Sequence, residues 1–235
     1  MPLYKIADVI VDMTPVGEDT ASWYEPYLYT GDDPPHMTLT LESRDIEYLL
    51  EEGHDFSYGT AENSLLSTAF NRKLFWHMGT YLHSSALLFD GRVYLFSGHS
   101  GVGKSTLTSR ICKRFGDERA KVINDDKPSL RIIDDKCIVY GTPFAGGTSK
   151  QLNLSGELGA IVFLEQSDHN ELVRLSDSEA IFRIMEQSIT RHNQSIVDRL
   201  LQIYSVVLDK YPIYKLYCTD SDEAVDVAIK ITDSI

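Results

Sequence analysis

The stretch Gly98-His99-Ser100-Gly101-Val102-Gly103-Lys104-Ser105 decides the fold class of this chain. It fits the pattern G-x-x-x-x-G-K-[ST], which is typical of loops that bind the phosphates of a nucleotide. The preceding residues 92–97 predict a buried strand, and residues 105–114 predict a helix. In a strand–loop–helix unit the backbone N–H groups of the loop and the positive end of the helix surround phosphate oxygens. The stretch therefore predicts an α/β fold that binds a nucleotide.

Each position of this loop has a predicted role. Its glycines allow turns and close approaches that a side chain would block. Lys104 is expected to reach the outer phosphates, and the Ser105 hydroxyl is expected to bind a magnesium ion. The predicted nucleotide-binding residues are Gly98, His99, Ser100, Gly101, Val102, Gly103, Lys104, Ser105 and Thr106.

Two adjacent acids, Asp125 and Asp126, end a predicted strand about twenty residues beyond Lys104. In a parallel sheet the carboxyl ends of the strands share one crevice with the phosphate loop. One carboxylate can hold a metal ion while the other accepts a proton from an attacking hydroxyl, and the division of the two roles stays open. Asp134 and Asp135, by contrast, predict a solvated hairpin turn.

Composition and charge exclude several classes of partner. The 235 residues are 43% hydrophobic, which is enough for a proper core, and the net charge of -13 argues against nucleic acid or an anionic membrane as a partner. The three cysteines are widely spaced, as expected in a reducing compartment. The N-terminus lacks the pattern of a signal peptide, and no apolar run reaches the length of a membrane span. We therefore expect a cytoplasmic protein.

The first 78 residues differ in pattern from the rest and predict a small α+β region. They contain predicted strands at 3–13 and 37–41, a loop or irregular hairpin at 23–35, and helices at 42–51 and 63–76.

Residues 79–235 predict the main domain, an α/β core whose mixed sheet carries several antiparallel hairpins. Its strands are expected at 85–89, 93–96, 121–124, 130–133, 137–140, 159–165 and 213–218. After the helix that follows the phosphate loop, further helices are expected at 176–186, 196–208 and 221–232, and a mobile loop at 141–156. Ser176 and Glu179 predict a capping box at the first of these helices.

Four segments in this order resemble the HPr serine kinase/phosphorylase family, whose core is shared with the ATP-dependent phosphoenolpyruvate carboxykinases. They are His83-Ser84-Ser85-Ala86, residues 98–106, Asn124-Asp125-Asp126 and Gly141-Thr142-Pro143-Phe144. The resemblance covers roughly residues 80–232 and leaves the N-terminal region outside. It implies a P-loop-containing mixed sheet of the HPr kinase type.

The resemblance also implies an activity and a set of residues. It implies transfer of the γ-phosphoryl group of ATP, with Mg²⁺ or Mn²⁺, to a serine hydroxyl of a protein or peptide, and it is compatible with a homo-oligomer. His83 matches a metal-ligand histidine, so the implied metal ligands are Ser105, His83, Asp125 and Asp126. The implied catalytic residues are Asp125, Asp126, Lys104 and His83, and the implied substrate loop includes Thr142, Gly146, Lys150 and Asn153.

Two other functions stay open at this point. One is a kinase of the same chemistry that acts on a small molecule. The other is a nucleotide-sensing module that transfers no phosphate, although an intact set of Lys104, Ser105 and the acidic pair argues against it. The chain also departs from the family at Gly147, where relatives are expected to carry a lysine; the nearest lysine is Lys150.

Overall fold

A computed structural model describes residues 2–51, 56–145, 151–188 and 194–234 as a mixed α/β protein. Its strands are β1 (Leu3–Ile6), β2 (Val9–Met13), β3 (Leu28–Tyr29), β4 (Met37–Leu39), β5 (Gly79–Tyr81), β6 (Ser84–Phe89), β7 (Arg92–Ser97), β8 (Ala120–Asn124), β9 (Ser129–Ile133), β10 (Lys136–Tyr140), β11 (Ser155–Gln166), β12 (Glu171–Arg174) and β13 (Ile213–Cys218). Its α-helices are α1 (Glu18–Tyr24), α2 (Ser43–Glu51), α3 (Tyr58–Leu74), α4 (Lys104–Phe115), α5 (Asp177–Glu186), α6 (Gln194–Lys210) and α7 (Glu223–Ala228).

The larger sheet has the strand order β5-β9-β10-β11-β7-β6-β8, with β13 also paired to β11 and β12 paired to β13. Strands β7, β11 and β13 run parallel, whereas β6 is antiparallel to both β7 and β8. Strand β6 therefore lies between β7 and β8. Because β6 is antiparallel to both of its neighbours, β7 and β8 run in the same direction. Their carboxyl ends therefore lie at the same edge of the sheet.

Strand β11 is longer than the predicted 159–165 and joins the two halves of the larger sheet. Along one edge it pairs with β7. Along the other edge its first residues pair with β10, and residues 161–166 pair with β13. Because β11 is covered on both faces, it is an almost continuous apolar run rather than an alternating one.

Helices cover both faces of the larger sheet and form two hydrophobic cores. On one face, α5 and α6 pack side chains such as Ile184 and Tyr204 against Ile161 and Phe163 of β11. On the other face, α4 and α7 pack against the alternate residues of β11, Ala160, Val162 and Leu164. Burial of each large apolar side chain stabilises the fold by about 1.5–3 kcal/mol. The predicted capping box is confirmed, since the Ser176 N–H donates to Glu179 Oε2 at the start of α5.

The helix predicted at 221–232 is only partly α-helical. Helix α7 ends at Ala228, and residues Ile229–Ser234 continue as a 3-10 helix.

The N-terminal region forms a second sheet with the order β3-β1-β2-β4. The single strand predicted at 3–13 is a hairpin, because Ala7 and Asp8 adopt positive φ angles of 51° and 56° and reverse the chain. The predicted loop at 23–35 is also partly wrong, since α1 continues to Tyr24, a 3-10 turn follows at Glu25–Tyr27, and β3 comes next.

The buried carboxylate of Glu62 explains why α1 escapes sequence reasoning. It accepts the N–H groups of Val16 and Gly17 just before the helix begins. This support comes from α3, about 45 residues further along the chain, and the cap residue Gly17 offers no side chain. No local pattern marks such a helix start.

The two sheets are joined by polar contacts between β9, β10 and the first hairpin. Arg131 Nη1 donates to the Ala7 carbonyl at 2.9 Å, and the Tyr140 hydroxyl donates to Asp8 Oδ2 at 2.7 Å. The boundary at residues 78/79 stays a prediction. Residues 141–145 of the predicted mobile loop are buried between the sheets, and residues 146–150 lie outside the described part of the chain.

Within the described ranges, the helices are all too short or too polar to cross a bilayer.

Candidate functional site

The loop 98–103 connects the end of β7 to α4 and depends on its glycines. Gly98 and Gly103 have φ angles of 138° and 107°, which favour glycine strongly. A Cβ atom on Gly98 would also lie 3.1 Å from the Leu164 carbonyl oxygen of the neighbouring strand β11. The tight bend of the loop over the sheet edge therefore requires glycine at positions 98 and 103.

Lys104 folds back into this loop instead of extending into solvent. Its Nζ donates to the carbonyl oxygens of Gly98 at 2.8 Å and His99 at 3.1 Å, and the residue is only 8% exposed. Burial lowers the pKa of Lys104, while the charges of Asp125 and Asp126 act in the opposite direction. The loop thus encloses a positive charge that faces the acidic pair.

The turn that carries the acidic pair is fixed by Asn124, the last residue of β8. Its Oδ1 accepts the N–H groups of Asp126 at 2.9 Å and Lys127 at 2.8 Å. Its Nδ2 donates to the carbonyl and the hydroxyl oxygen of Thr142, at 3.0 and 3.1 Å. One buried amide therefore ties the acidic turn to residues 141–145, and a buried polar group with all its partners is a rigid support.

His83 lies next to Asp126 at the start of β6. Its Nε2 is 3.6 Å from Asp126 Oδ1, its N–H donates to the Gln187 carbonyl, and its carbonyl accepts the Ser97 hydroxyl at 2.8 Å. Burial lowers the pKa of His83, as do the nearby Lys104 and Lys127, while Asp126 opposes them. These effects favour a neutral imidazole at pH 7, and a neutral imidazole can accept a proton or bind a metal ion.

One carboxylate oxygen of the acidic pair, Asp125 Oδ1, is buried without a hydrogen-bond partner among the described residues. A buried, unpartnered carboxylate oxygen is costly unless a ligand satisfies it. Together with the Ser105 hydroxyl it offers the hard oxygen ligands that Mg²⁺ prefers. Because the described ranges contain no group of three or more His, Cys, Asp or Glu side chains suited to a metal ion, such an ion needs further oxygens, for example from phosphates.

The structure brings together several of the predicted site residues and leaves others apart. The residues that it brings to the edge where β7 and β8 end and β6 begins are Lys104, Asp125, Asp126, His83 and Thr142.

Of the remaining predicted residues, His99 and Ser100 are exposed at the top of the loop. Asn153 is not at this site: its Nδ2 donates to the Pro26 carbonyl at 2.8 Å, and the residue lines a groove beside the outer face of α4. Gly146 and Lys150 lie outside the described residues.

Three further residues lie close enough to the acidic pair or His83 to interact with them, and sequence reasoning missed all three. Lys127 Nζ lies 3.7 Å from Asp126 Oδ2. The pKa of Tyr81 is raised by burial and by the nearby charge of Asp126, and the Gln187 side chain hydrogen-bonds the His83 imidazole. Lys127 directly follows the acidic pair in the sequence and was open to prediction, whereas Tyr81 and Gln187 carry no local signal.

No protein-family model matches the chain, and no curated protein matches it. Among solved structures, the chain is similar to the Hpr(Ser) kinase/phosphatase from Coxiella burnetii at 12% sequence identity, over 66% of this chain and 89% of that one, with a TM-score of 0.41. At that identity and TM-score the likeness carries no argument about the reaction.

Proposed function

We propose that this protein is an ATP-dependent phosphotransferase that moves the γ-phosphoryl group of ATP to a serine hydroxyl of a protein or peptide. One observation carries the proposal. The ammonium group of Lys104, enclosed in the glycine-dependent loop after β7, faces the two carboxylates that follow β8 and the histidine that precedes β6, all at the same edge of the sheet.

Nucleotide binding is supported by the loop and by helix α4. The first N–H groups of a helix lack intrahelical partners and carry partial positive charge, so they bind phosphate oxygens well. Lys104 adds a full positive charge at the same place. We propose that residues 98–106 hold the phosphates of ATP, in a core of the HPr kinase type.

Proton and phosphoryl transfer are assigned to the acidic side of the site. Asp126, whose side chain is 20% exposed, accepts the proton of the serine hydroxyl. The serine oxygen then forms a bond to the γ-phosphorus, the bond from that phosphorus to the β–γ bridging oxygen breaks, and ADP leaves. Asp125 and Ser105 would hold Mg²⁺, which neutralises phosphate charge when it is bound. His83 beside Asp126 helps to keep that carboxylate in place.

The serine acceptor is supported by the resemblance of the four motif segments, and the absence of nucleic-acid or membrane partners is supported by the net charge of -13. A cytoplasmic location and a homo-oligomer belong to the same proposal.

The test is a transfer assay with γ-labelled ATP and Mg²⁺, offered a serine-containing peptide library, the same library with alanine in place of serine, and a panel of small hydroxyl metabolites. We expect label on the serine peptides only. Lys104→Ala should reduce nucleotide affinity by about 10²-fold or more, because a charge-assisted contact to phosphate is lost. Lys113→Ala is the matched control, since Lys113 lies exposed on the same helix.

Each other outcome has a defined meaning. Label on a metabolite alone would make the protein a small-molecule kinase. ATP binding without transfer to any acceptor would make it a nucleotide sensor, and no ATP binding would end the proposal.

A further inference from the structure

Helix α5 has one side that does not pack into the core. Ala180 and Ile184 are buried against the larger sheet. Four other side chains of the helix follow the spacing i, i+3, i+4, i+7 and therefore share a different side. They are Glu179, Phe182, Arg183 and Glu186. A cavity of about 690 Å³, the α5 cavity, lies between this side and the phosphate loop.

Phe182 is the largest apolar side chain that lines the α5 cavity. The residue is 66% exposed although it lies in a concave surface. Val102 of the loop and Leu164 of β11 add aliphatic surface to the lining. An exposed aromatic ring in a cavity with a few charged groups is typical of a ligand site. The face of such a ring also attracts a cation and stacks against the flat guanidinium group of arginine.

The charge of the lining determines which kind of ligand the α5 cavity can accept. Three glutamates but only one arginine line it, namely Glu165, Glu179, Glu186 and Arg183. Arg183 is already paired with Glu165 at 3.1 Å. The hydrogen bond from the Ser176 hydroxyl, with smaller effects of Lys215 and Arg183, lowers the pKa of Glu179, so this carboxylate is ionised at pH 7. Glu186 is exposed and has no ion-pair partner within the described part of the chain.

An excess of negative charge repels a polyphosphate and attracts a cationic side chain. Arginine suits this surface best, because its guanidinium group can form two parallel hydrogen bonds to a carboxylate and stack on an aromatic ring. Phe182 and Glu186 are four residues apart and therefore neighbours on the helix surface. One arginine side chain can contact both of them.

The α5 cavity also adjoins both parts of the proposed active site. One of its walls is formed by residues 99–102 of the loop. At its other end, Glu186 is followed by Gln187, whose carbonyl accepts the His83 N–H at 3.1 Å and whose side chain hydrogen-bonds the His83 imidazole. His83 in turn lies beside Asp126. A peptide whose serine reaches Asp126 can therefore place its neighbouring residues along α5.

The geometry of the helix sets the spacing between the serine and the cation. Phe182 lies five residues before Gln187, which is about 7.5 Å along the helix axis. An extended peptide rises about 3.3 Å per residue. A side chain about two to four positions from the serine therefore reaches the surface formed by Phe182 and Glu186.

We propose that the α5 cavity docks the acceptor peptide and selects an arginine about two to four residues from the acceptor serine. This inference rests on the proposed function and adds the class of substrate, a peptide with a basic residue close to its serine.

The test measures transfer from γ-labelled ATP to nine-residue peptides with a central serine in a background of glycine and alanine. One arginine is moved through every other position, and in the reference peptides citrulline replaces it, which has a similar shape without the charge. We expect the full-length wild type to prefer arginine to citrulline by about ten-fold or more in kcat/KM at the best position, because citrulline forms no charge-assisted pair.

Substitutions on α5 locate the source of that preference. Glu186→Arg should abolish it, and the milder Glu186→Gln should reduce it. Phe182→Ala should lower the preference by about three-fold, because the aromatic face is lost, and Phe182→Tyr should restore it. All of these positions are exposed, so circular dichroism should show a folded protein in each case.

The matched control is Glu118→Arg, which makes the same change of charge elsewhere. Glu118 is exposed just before β8, at the sheet edge opposite to the loop. This variant should keep the wild-type preference for arginine.

A binding measurement separates this inference from the proposed function. The best arginine peptide, with alanine in place of its serine and a fluorescent label, is titrated with the full chain and followed by anisotropy. Glu186→Arg should weaken its binding by about ten-fold. Binding that depends on Glu186 without transfer to any serine peptide would support the docking site and overturn the proposed phosphoryl transfer.

Two results would overturn the docking site and leave the phosphotransferase in place. One is transfer to serine peptides at equal rates with arginine and citrulline. The other is an arginine preference that persists in both Glu186→Arg and Phe182→Ala, because recognition would then lie elsewhere.

Discussion

The chain contains the dipeptide Asp-Asp twice after a strand of the larger sheet, and the two copies have different structures. Asp134 and Asp135 form the two-residue turn between β9 and β10, with φ angles of 47° and 63°, and are exposed. Asp135 pairs with Lys210, just before the start of β13. Asp125 and Asp126 are partly buried at the opposite edge, where β13 ends and where Lys104 and His83 lie.

The difference shows that neighbouring residues, not the acids themselves, decide between a turn and a site. After Asp134-Asp135 a new apolar strand begins at once, so the acids have only to reverse the chain. Asp125-Asp126 is followed by Lys127-Pro128, and Asn124 accepts the N–H groups of Asp126 and Lys127. That turn holds its carboxylates toward a buried cation.

The largest expected effect separates the two pairs by function. Asp126→Asn should lower the single-turnover rate of transfer by about 10²–10⁴-fold, because the proton acceptor is lost, while ATP still binds. Asp135→Asn is the matched control and should leave the rate unchanged. An unchanged rate in Asp126→Asn and Asp125→Asn alike would contradict the proposed mechanism.

The next effect concerns the support of the acidic turn. Asn124→Ala removes the acceptor of two N–H groups and the donor to Thr142. The free energy of unfolding, measured in urea, should therefore fall by about 1–3 kcal/mol. Transfer should slow by about ten-fold or more in kcat with little change in the KM for ATP, because the carboxylates are no longer fixed.

Asn124→Asp keeps the acceptor oxygen and should restore part of both losses. A variant that is destabilised but transfers at the wild-type rate would show that Asn124 supports the fold alone.

A smaller effect is expected in the pH dependence of stability. The pKa of His83 is lowered in the folded state. As the pH falls, the unfolded chain therefore protonates His83 at a higher pH, near the ordinary histidine pKa of about 6.5, than the folded protein does. Stability is therefore full above about pH 6.5 and is lost as the pH falls toward the folded-state pKa. His83→Gln should reduce this loss, measured as the difference in urea midpoint between pH 7.5 and 5.5.

His169→Gln is the control for that measurement. The pKa of the exposed His169 is raised by its hydrogen bond to Asp168, so it acts in the opposite direction, and its replacement should leave the acid loss in place. The same acid loss in His83→Gln as in the wild type would refute the assignment to His83.

The smallest effect is expected at the other Asp-Asp pair. Replacement of Asp134-Asp135 by Asn-Gly suits the positive φ angles of this turn but removes the exposed pair with Lys210. The two changes should nearly cancel, within about 0.5 kcal/mol in thermal or urea unfolding. The same replacement at Asp125-Asp126 should abolish transfer, and equal effects at both places would erase the distinction between them.

Features with a local signal could be predicted from the sequence. The turns at Asp90-Gly91 and Asp134-Asp135 lie between short apolar strands, and the structure confirms both hairpins. The loop and the acidic turn carry the same kind of signal, and the structure brings Lys104, Asp125, Asp126 and His83 together. Their chemical roles stay predictions.

Features that depend on distant partners could not be predicted. Strands β5 and β12 are short and are defined by pairing with β9 and β13. The Asp90-Gly91 turn predicts that β6 is antiparallel to β7, but the pairing of β6 with β8 along its other edge has no local signal. Tyr81 and Gln187 reach the site for the same reason, through tertiary packing alone.

The inward fold of Lys104 has a consequence for selectivity. Its ammonium group already has two carbonyl acceptors, so an incoming anion gains only the difference between a charged and a neutral acceptor. A weakly charged anion such as acetate gains little by that exchange, whereas a polyphosphate brings several charges at once. The loop without a ligand therefore selects anions by their number of negative charges before any other part of the ligand is recognised.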